Sequence, residues 1–376
     1  MSRRIRVMHV VNNLNYGGLE RVVAEMVQRT DSDRFESHVM ALGYLGHFGE
    51  GLDAFAALHV AEPMSRFSML RPASLTRQIA TIAPDVVHLH SGALYKGSLA
   101  ASMAGVARQI FTDHGRQNPD PWLHRTIDRR ASRRIDVIVA VSDKLRRHLE
   151  SFMPRSTRIR VIPNGVNTDR YAPLDDDSDF RRELNIAPDV PIIGSIGRLE
   201  PIKGYRIMID AFAKLRSNWN GLSAPILVLV GDGSERAVLE QSATDLGVAD
   251  SIHFVGWRSD IDRITRAFTI FSMSSHSEGT SVSLLEAMSS GLCPVVTNVG
   301  GNAAVLGAEL SHRLVTPDDP EALSGALTVA LQNDALRVRD ATAARARVVN
   351  HFGLDAMVHA YQALYTGAPI GAGQTT

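Results

Sequence analysis

The sequence predicts an α/β protein of two domains, each built on a doubly wound parallel sheet. Short apolar runs of strand length alternate with amphipathic helical stretches, as helical crossovers between parallel strands require. The alternation starts afresh near residue 191, with the same strand, loop and helix that open the chain near residue 5. A chain of 376 residues, 44% hydrophobic, also exceeds one ordinary core and fits two packed domains.

In the first half, residues 5–11 form an apolar strand, 12–16 a polar loop, and Gly17-Gly18 leads into a helix with Leu19, Val22, Val23, Met26 and Val27 on one face. Strand, glycine turn and helix make a geometry in which a phosphate can approach a helix N-terminus. A tight turn between packed elements is the lesser alternative given the position of the pair, and the pattern is not G-x-G-x-x-G. Residues 37–42 and 86–90 are expected as strands, 75–82 and 97–104 as helices. Residues 109–113 form a strand that ends in a polar turn at His114, Gly115 and Arg116, at the carboxyl edge of the sheet, where open α/β sheets bind ligands. His88 and His90 end the neighbouring strand. Each of these histidines suits a proton handler or hydroxyl ligand, or a structural hydrogen-bonding role, and His114 is the preferred site candidate. Residues 135–142 are a strand ending in a helix cap, 144–149 a helix, and 159–167 a short strand that leaves through Pro163 and Gly165. Residues 171–179, with Pro173 and a run of aspartates, have the composition of a linker.

The second half opens with strand 191–198, loop 199–203 and amphipathic helix 204–215. Arg198 at the strand end and Lys203 before the helix form a pair suited to clamping a diphosphate, with solvated surface charges as the alternative. Strand 226–230 runs into Gly231-Asp232-Gly233, which lacks the third glycine of a dinucleotide fingerprint and is expected to be a strand–helix turn. Strands 252–257 and 268–273 follow. Then comes the stretch richest in chemistry, residues 275–288, where Glu278 and Glu286 stand eight positions apart across a small-residue turn that opens into an apolar helix. Gly279 lets backbone approach a ligand, and Thr280, Ser281 and Ser283 supply hydroxyls where free helical N–H groups attract anions. Two acceptor-only carboxylates beside an anion pocket suit a ligand with both hydroxyls and phosphate. A second explanation is local: Ser283-Leu284-Leu285-Glu286 fits a capping box in which Glu286 reaches back to the Ser283 amide. Strand 294–297, the turn 299–302, a long helical region over 320–349, and a helix 356–365 with Phe352, Met357, Tyr361 and Tyr365 as packing positions complete the chain. The tail beyond Gly367 is expected to be mobile.

Cys293 is the single cysteine, set in an apolar run, so no disulfide forms within the chain and the thiol is expected buried and inert. No stretch approaches the length of a membrane span, and the early interruption of the N-terminal apolar run argues against a signal peptide. A cytoplasmic location is expected. Net charge is zero but uneven: residues 1–174 hold 24 Lys and Arg against 16 Asp and Glu, and the remainder the reverse. The excess gathers around Arg125, Arg129, Arg130, Arg133, Arg134, Arg146, Arg147, Arg155, Arg158 and Arg160. Such a patch attracts anionic lipid headgroups or a phosphate-linked acceptor. A solvated helix face meeting an acidic second half accounts for it as well. Nucleic acid is disfavoured, since no aromatic residues interleave and no binding motif accompanies the patch.

Taken in order, Tyr16-Gly17-Gly18-Leu19-Glu20-Arg21, Val161-Ile162-Pro163-Asn164-Gly165, Gly197-Arg198 with Lys203-Gly204, Val230-Gly231-Asp232-Gly233, Phe254-Val255-Gly256, Ser277-Glu278-Gly279 with Glu286-Ala287-Met288, and Val299-Gly300-Gly301 resemble the motifs of the family 4 retaining glycosyltransferases. The resemblance spans nearly the whole chain. His9 to Leu14 and Gly300-Gly301-Asn302 are similar to a subgroup associated with exopolysaccharide assembly and exosortase systems. It implies the GT-B fold: two Rossmann-like domains facing a cleft, residues 1–170 on the acceptor side and 171–352 on the donor side, with 353–376 as a C-terminal helix crossing back to the first domain and a tail. It implies a hexosyltransferase that moves sugar from a nucleoside diphosphate sugar, UDP-sugars favoured, to a cell-envelope or lipid-linked glycan acceptor. Arg198 and Lys203 would bind the diphosphate, Gly17 and Gly18 would close over it, Glu286 would hold the ribose, and Glu278 would contact sugar hydroxyls, helped by amides of Gly279, Thr280, Ser281, Val282 and Ser283. His114 would face the reacting centre as a catalytic residue beside Glu278.

Charge then suggests the chemistry. Breaking a sugar–phosphate bond leaves extra negative charge on the diphosphate, which Arg198, Lys203 and helix amides stabilise without a cofactor or a metal. Asp-x-Asp triplets at 31–33, 177–179 and 260–262 fall at a helix exit, in the linker and at a helix start, so none is expected to bind metal. Two other classes compete: a non-catalytic sugar-nucleotide-binding scaffold of the same fold, and a nucleotide-sugar epimerase. The first would bind nucleotide and release none. The second would change the donor with no acceptor present. The site's expected location is cytoplasmic, with peripheral attachment to the inner face of the plasma membrane through the first domain's arginines as a corollary of the basic patch.

Overall fold

A computed structural model describes residues 3–63, 71–115, 121–174 and 178–368. Arg116, the aspartates of residues 175–177 and the tail from 369 lie outside them. The chain divides into two units, residues 1–165 with 354–376, and residues 166–353.

In the first unit β1 (Ile5–Asn13) passes to α1 (Gly18–Arg29), β2 (Phe35–Tyr44), β3 (Ala57–Val60), α2 (Ala73–Ile82), β4 (Val86–His90), α3 (Leu94–Met103), β5 (Arg108–Asp113), α4 (Trp122–Ala131), β6 (Val137–Ala140), α5 (Asp143–Glu150) and β7 (Ile159–Val161). The seven strands lie in the order β3-β2-β1-β4-β5-β6-β7, each pair parallel. Strand order reverses between β1 and β4, and that is the point where an open sheet of this type leaves a crevice at its carboxyl edge. The central strands are buried on both faces because helices cover both; Val7, Met8, Val10, Val11, Val87 and Leu89 are fully buried, and so are His9, His88 and His90.

The second unit repeats the plan. α6 (Ser178–Glu183) precedes β8 (Ile192–Ile196), α7 (Tyr205–Ser217), β9 (Ile226–Val230), α8 (Arg236–Asp245), β10 (Ile252–Gly256), α9 (Ile261–Ala267), β11 (Ile270–Met273), α10 (Val282–Ser289), β12 (Cys293–Thr297), α11 (Asn302–Leu306), β13 (Leu314–Val315), α12 (Pro320–Gln332) and α13 (Asp334–His351). Its six strands run β10-β9-β8-β11-β12-β13, all parallel, with the reversal between β8 and β11. α14 (Leu354–Thr366) then returns to the first unit. There Met357, Tyr361 and Tyr365 are buried, as their spacing predicts.

Four local expectations need correction. β3 went unrecognised because Ala-Leu-His-Val at a sheet edge shows no polar alternation. α4 did too, since only Ala131 of its ten residues is buried. The helical region over 320–349 is two helices, separated where Asn333 leaves helical geometry and its side chain accepts from the Leu336 amide at 3.0 Å. Tyr171, at the start of the stretch with linker composition, is fully buried in the second unit's core. Cys293 is buried in β12, and burial pushes its thiol up to about 11.

Candidate functional site

In the second unit the loops that leave β8 and β11, the two strands at the reversal, carry most of the sequence-derived candidates. The first loop ends in a short turn over Pro201–Lys203, closed by Gly204 in the left-handed region at φ 63°. A Cβ there would lie 2.3 Å from the Ser274 carbonyl oxygen, so glycine lets the two loops touch. They are tied by the Ser274 hydroxyl donating to the Lys203 carbonyl at 3.1 Å and by the His276 amide donating to the Ile202 carbonyl at 2.9 Å.

This seam sets Lys203 against Glu278. The Lys203 Nζ donates to Glu278 Oε1 at 2.6 Å, and the Ser275 hydroxyl donates to the same oxygen at 2.6 Å. The Glu278 side chain is 8% exposed and that of Lys203 21%. A lysine expected to meet a diphosphate and a glutamate expected to meet sugar hydroxyls thus neutralise one another. Arg198 stands exposed where the first loop begins. Ser275 was not singled out for a role by sequence reasoning; its position three residues before Glu278 is the signal that it holds the carboxylate.

The turn 279–281 is braced by the loop after β12. The Gly301 amide donates to the Gly279 carbonyl at 2.9 Å, and the Thr297 hydroxyl to the Ser275 carbonyl at 2.7 Å. Gly300 packs so tightly, at φ 54°, that a Cβ would lie 1.7 Å from the Glu278 carbonyl oxygen. Asn302 donates from Nδ2 to the Thr297 carbonyl at 3.0 Å, anchoring the same loop.

Helix α10 settles the competing explanation for Glu286. Its N-cap is Ser281, whose hydroxyl accepts from the Leu284 amide at 3.4 Å. Leu284 therefore occupies the position a capping-box glutamate needs, and Ser283 is already inside the helix. Glu286 lies a further half-turn in, 2% exposed. The capping-box pairing of Ser283 with Glu286 is thereby overturned. Gly279, Thr280, Ser281, Val282 and Ser283 line the entry to this helix, with Thr280, Ser281 and Val282 buried.

The remaining candidates belong to the first unit. Gly17 adopts an extended conformation as the N-cap of α1, and Gly18 is the first helical residue. His114 immediately follows β5, its amide donating to the Ser91 hydroxyl at 2.9 Å. Behind it lies a histidine group that the sequence shows only as scattered positions. His9 on β1 is in register with His88 on β4, and His90 stands two residues further on the same face. His9 Nδ1 is 3.2 Å from His90 Nε2, and His90 Nδ1 is 3.1 Å from His114 Nε2. His88 makes separate bonds, Nδ1 with the Tyr365 hydroxyl and Nε2 with that of Thr112, both at 2.8 Å. Burial disfavours the charged imidazole, holding His9 at about 4 and His114 at about 3, with His88 and His90 well below the usual histidine range.

His9, His88 and His90 offer nitrogens within 4.8 Å of one another, a spacing that admits a metal ion. However, both nitrogens of His88 and of His90 are already in hydrogen bonds, so the donor set fits a neutral network better than a coordination site. Of the Asp-x-Asp residues, Asp260 pairs with Arg258 and Asp262 with Arg170, each at 2.8 Å; Asp177 lies outside the described residues.

Residues 176–347 match the family model "Glycosyl transferases group 1", and residues 16–170 match "Glycosyltransferase Family 4". Over 96% of its length the chain is 24% identical to UDP-Gal:alpha-D-GlcNAc-diphosphoundecaprenol alpha-1,3-galactosyltransferase of Escherichia coli, covering 97% of that protein. It is 31% identical to the lipopolysaccharide core biosynthesis glycosyltransferase LpsE of Rhizobium meliloti over 56% of this chain and 58% of that one. Among solved structures it resembles HepE of Anabaena in complex with UDP and glucose, at a TM-score of 0.83 and 20% identity, covering 97% of this chain and all of that one. WaaG, a glycosyltransferase involved in lipopolysaccharide biosynthesis, matches at a TM-score of 0.75 and 18% identity, over 96% of this chain and all of WaaG. The two parallel-sheet units thus have the GT-B fold.

Proposed function

Since the chain belongs to the glycosyltransferases that both family models describe, acting on a nucleotide sugar, we propose that it is a retaining, metal-independent hexosyltransferase of cell-envelope or exopolysaccharide assembly. The observation that carries the site reading is the Lys203–Glu278 pair fixed by Ser275 at the strand-order reversal. On donor binding, the diphosphate takes Lys203 from Glu278, with Arg198 as the second cation. Glu278, still held by Ser275, is then free to accept hydrogen bonds from sugar hydroxyls. Glu286 takes the ribose hydroxyls, and residues 279–283 supply amides and hydroxyls. In transfer, the anomeric carbon–oxygen bond breaks with its electrons leaving on the diphosphate, the acceptor oxygen bonds the same carbon from the same face, and its proton passes to the departing phosphate oxygen. Arg198 and Lys203 offset the charge that develops there. In the first unit His114 is the residue proposed to touch a donor sugar or acceptor, and Gly17 and Gly18, at the N-terminus of α1, are proposed to contact the donor.

A UDP-sugar is the favoured donor, supported by the UDP in the related HepE structure. A lipid-linked glycan is the favoured acceptor, supported by the diphosphoundecaprenol-linked acceptor in the E. coli relative's name. Among the described residues no helix is long and apolar enough to cross a membrane. Helix α4 supports peripheral attachment instead: Trp122 is 70% exposed, and Leu123, Arg129 and Arg130 are exposed with it. An exposed tryptophan beside arginines suits an anionic surface at the cytoplasmic leaflet.

Release of nucleoside diphosphate from a panel of donors with membrane extract tests the reading, run with and without a chelator. Sugar transfer with an unchanged anomeric configuration in the product is expected. A folded protein silent across the panel, or one active only with added metal, would overturn it.

A further inference from the structure

We propose that His9, His90 and His114 form one neutral imidazole chain that locks His114 with Nδ1 as a hydrogen-bond donor toward bound ligand, His9 and His90 acting as positioning residues. The proposal rests on the reading of His114 as a site residue, and it assigns that residue an atom and a protonation state.

Proton counting constrains the chain. A neutral imidazole carries one N–H and one acceptor nitrogen. Two imidazole–imidazole bonds join the three rings, His9 Nδ1 to His90 Nε2 and His90 Nδ1 to His114 Nε2. With every ring neutral, each bond consumes one N–H, and His90, bonded at both nitrogens, must donate through one and accept through the other. Only two arrangements remain. Either each ring donates from Nδ1 toward His114, leaving the third N–H on His114 Nδ1, or each donates from Nε2 toward His9, leaving it on His9 Nε2. The two end atoms are the very ones left buried with no partner, His9 Nε2 and His114 Nδ1.

The ends differ in surroundings. His9 is fully buried between the sheet and its covering helices, with Tyr365 edge-on at 6.1 Å and His88 at 5.2 Å between ring centroids. A stranded N–H there would find no acceptor, and orphaned buried N–H groups are rarer than under-used acceptors. His114 lies at the carboxyl edge of the sheet and is partly exposed as a residue, although its Nδ1 is itself covered, whereas no atom of His9 reaches the surface. An N–H on its Nδ1 gains a partner as soon as a ligand oxygen arrives. The arrangement that ends on His114 is therefore the stable one.

The groups packed around the chain keep it neutral. His88 lies over His90 with centroids 4.2 Å apart, and the Thr112, Tyr361 and Tyr365 hydroxyls bond one another or His88 rather than the chain. Ser91 and Asp113 accept from the backbone amides of His114 and Gly115. A second proton on His90 or His114 would break a bond in the chain; one on His9 Nε2 would break none, but it would place an uncompensated charge in a fully buried site. His114 so held donates to a hydroxyl or phosphate oxygen and does not serve as a base.

The test is long-range 1H–15N correlation spectroscopy on the 15N-histidine-labelled full chain, with His114→Gln assigning the resonance. His114 is expected with a protonated Nδ1 and a bare Nε2 from pH 5 to 8. The opposite tautomer, an imidazolium, or a shift of the His9 and His90 signals when zinc is added to chelator-treated protein would each overturn the proposal. In His90→Phe the His114 signal is expected to become a tautomer mixture, with turnover down about five- to tenfold, as loss of one orienting hydrogen bond implies, and nucleoside diphosphate affinity unchanged. An unaltered His114 spectrum in that variant would refute the positioning role. If His90→Phe does not fold, the wild-type spectrum still decides. Full transfer by His114→Gln would remove His114 from the site, a failure of the functional reading that the tautomer measurement keeps separate.

Discussion

Replacing Gly300 with alanine places a methyl carbon 1.7 Å from the carbonyl oxygen of Glu278, 2.5 Å from its carbonyl carbon and 2.9 Å from its nitrogen. All three contacts are backbone, so no side-chain rotation relieves them. The left-handed conformation at φ 54° costs a residue with a Cβ about 1–2 kcal/mol. Moving the Glu278–Gly279 backbone aside costs roughly 1–3 kcal/mol more. Together these predict a loss of about 2–5 kcal/mol, a fall of roughly 5–15 °C in the melting temperature of a unit this size. Because Glu278 moves with its backbone, its bonds to Lys203 and Ser275 loosen and donor affinity falls too. Scanning calorimetry of the whole chain, with and without UDP, measures both. Gly325→Ala is the control, an exposed position in α12 where a Cβ meets nothing within 4 Å; it is expected to stabilise slightly. A Gly300→Ala protein that melts and binds UDP like wild type would refute the packing argument.

The Lys203–Glu278 pair predicts that Lys203→Met and Glu278→Gln each weaken donor binding, and that a double-mutant cycle on stability gives a coupling of about 0.5–3 kcal/mol; additive effects would mean that the pair is not formed. Asp340 accepts from the Arg313 Nε at 2.7 Å with both side chains 2% exposed, so Asp340→Ala strands a buried guanidinium and is expected to cost about 3–5 kcal/mol in chemical denaturation. His9 is held at about 4 by burial, so between pH 6.5 and 4 the unfolded chain binds more protons than the folded one, and stability falls as pH drops through that window. That effect is on the order of 3 kcal/mol from His9 alone and levels off below pH 4. His9→Gln should flatten the melting-temperature profile over this range, and an unchanged slope would contradict the assignment. Arg129→Glu with Arg130→Glu is expected to reduce sedimentation with anionic vesicles while leaving hydrolysis of the soluble donor unchanged; equal sedimentation would exclude α4 as the contact.

Periodicity and punctuation are local properties, and what depends on them was legible in the chain. The apolar runs of β1, β4, β8 and β9, the glycines at the strand exits, and the buried faces of α1, α7 and α14 all follow from the two periods of strand and helix. The candidate residues Arg198, Lys203, Glu278 and Glu286 were likewise found from their places after strands, where open sheets bind ligands. Weakly patterned elements were missed: β3 lies at a sheet edge, and α4 turns most of its length to solvent.

Partnerships were decided only by the tertiary structure. Ser281, and not Ser283, caps α10, because the chain turns into the helix two residues earlier than the capping-box pattern suggests. Lys203 meets Glu278 across 75 residues because β11 crosses over to lie beside β8. His9, His90 and His114 come from three strand segments separated by helices, and only the order β1-β4-β5 in the sheet brings their rings together. A sequence specifies which residues can form a strand or helix through contacts a few positions apart; which distant side chains share a proton depends on how those strands are ordered, and that order is set by packing of the whole sheet.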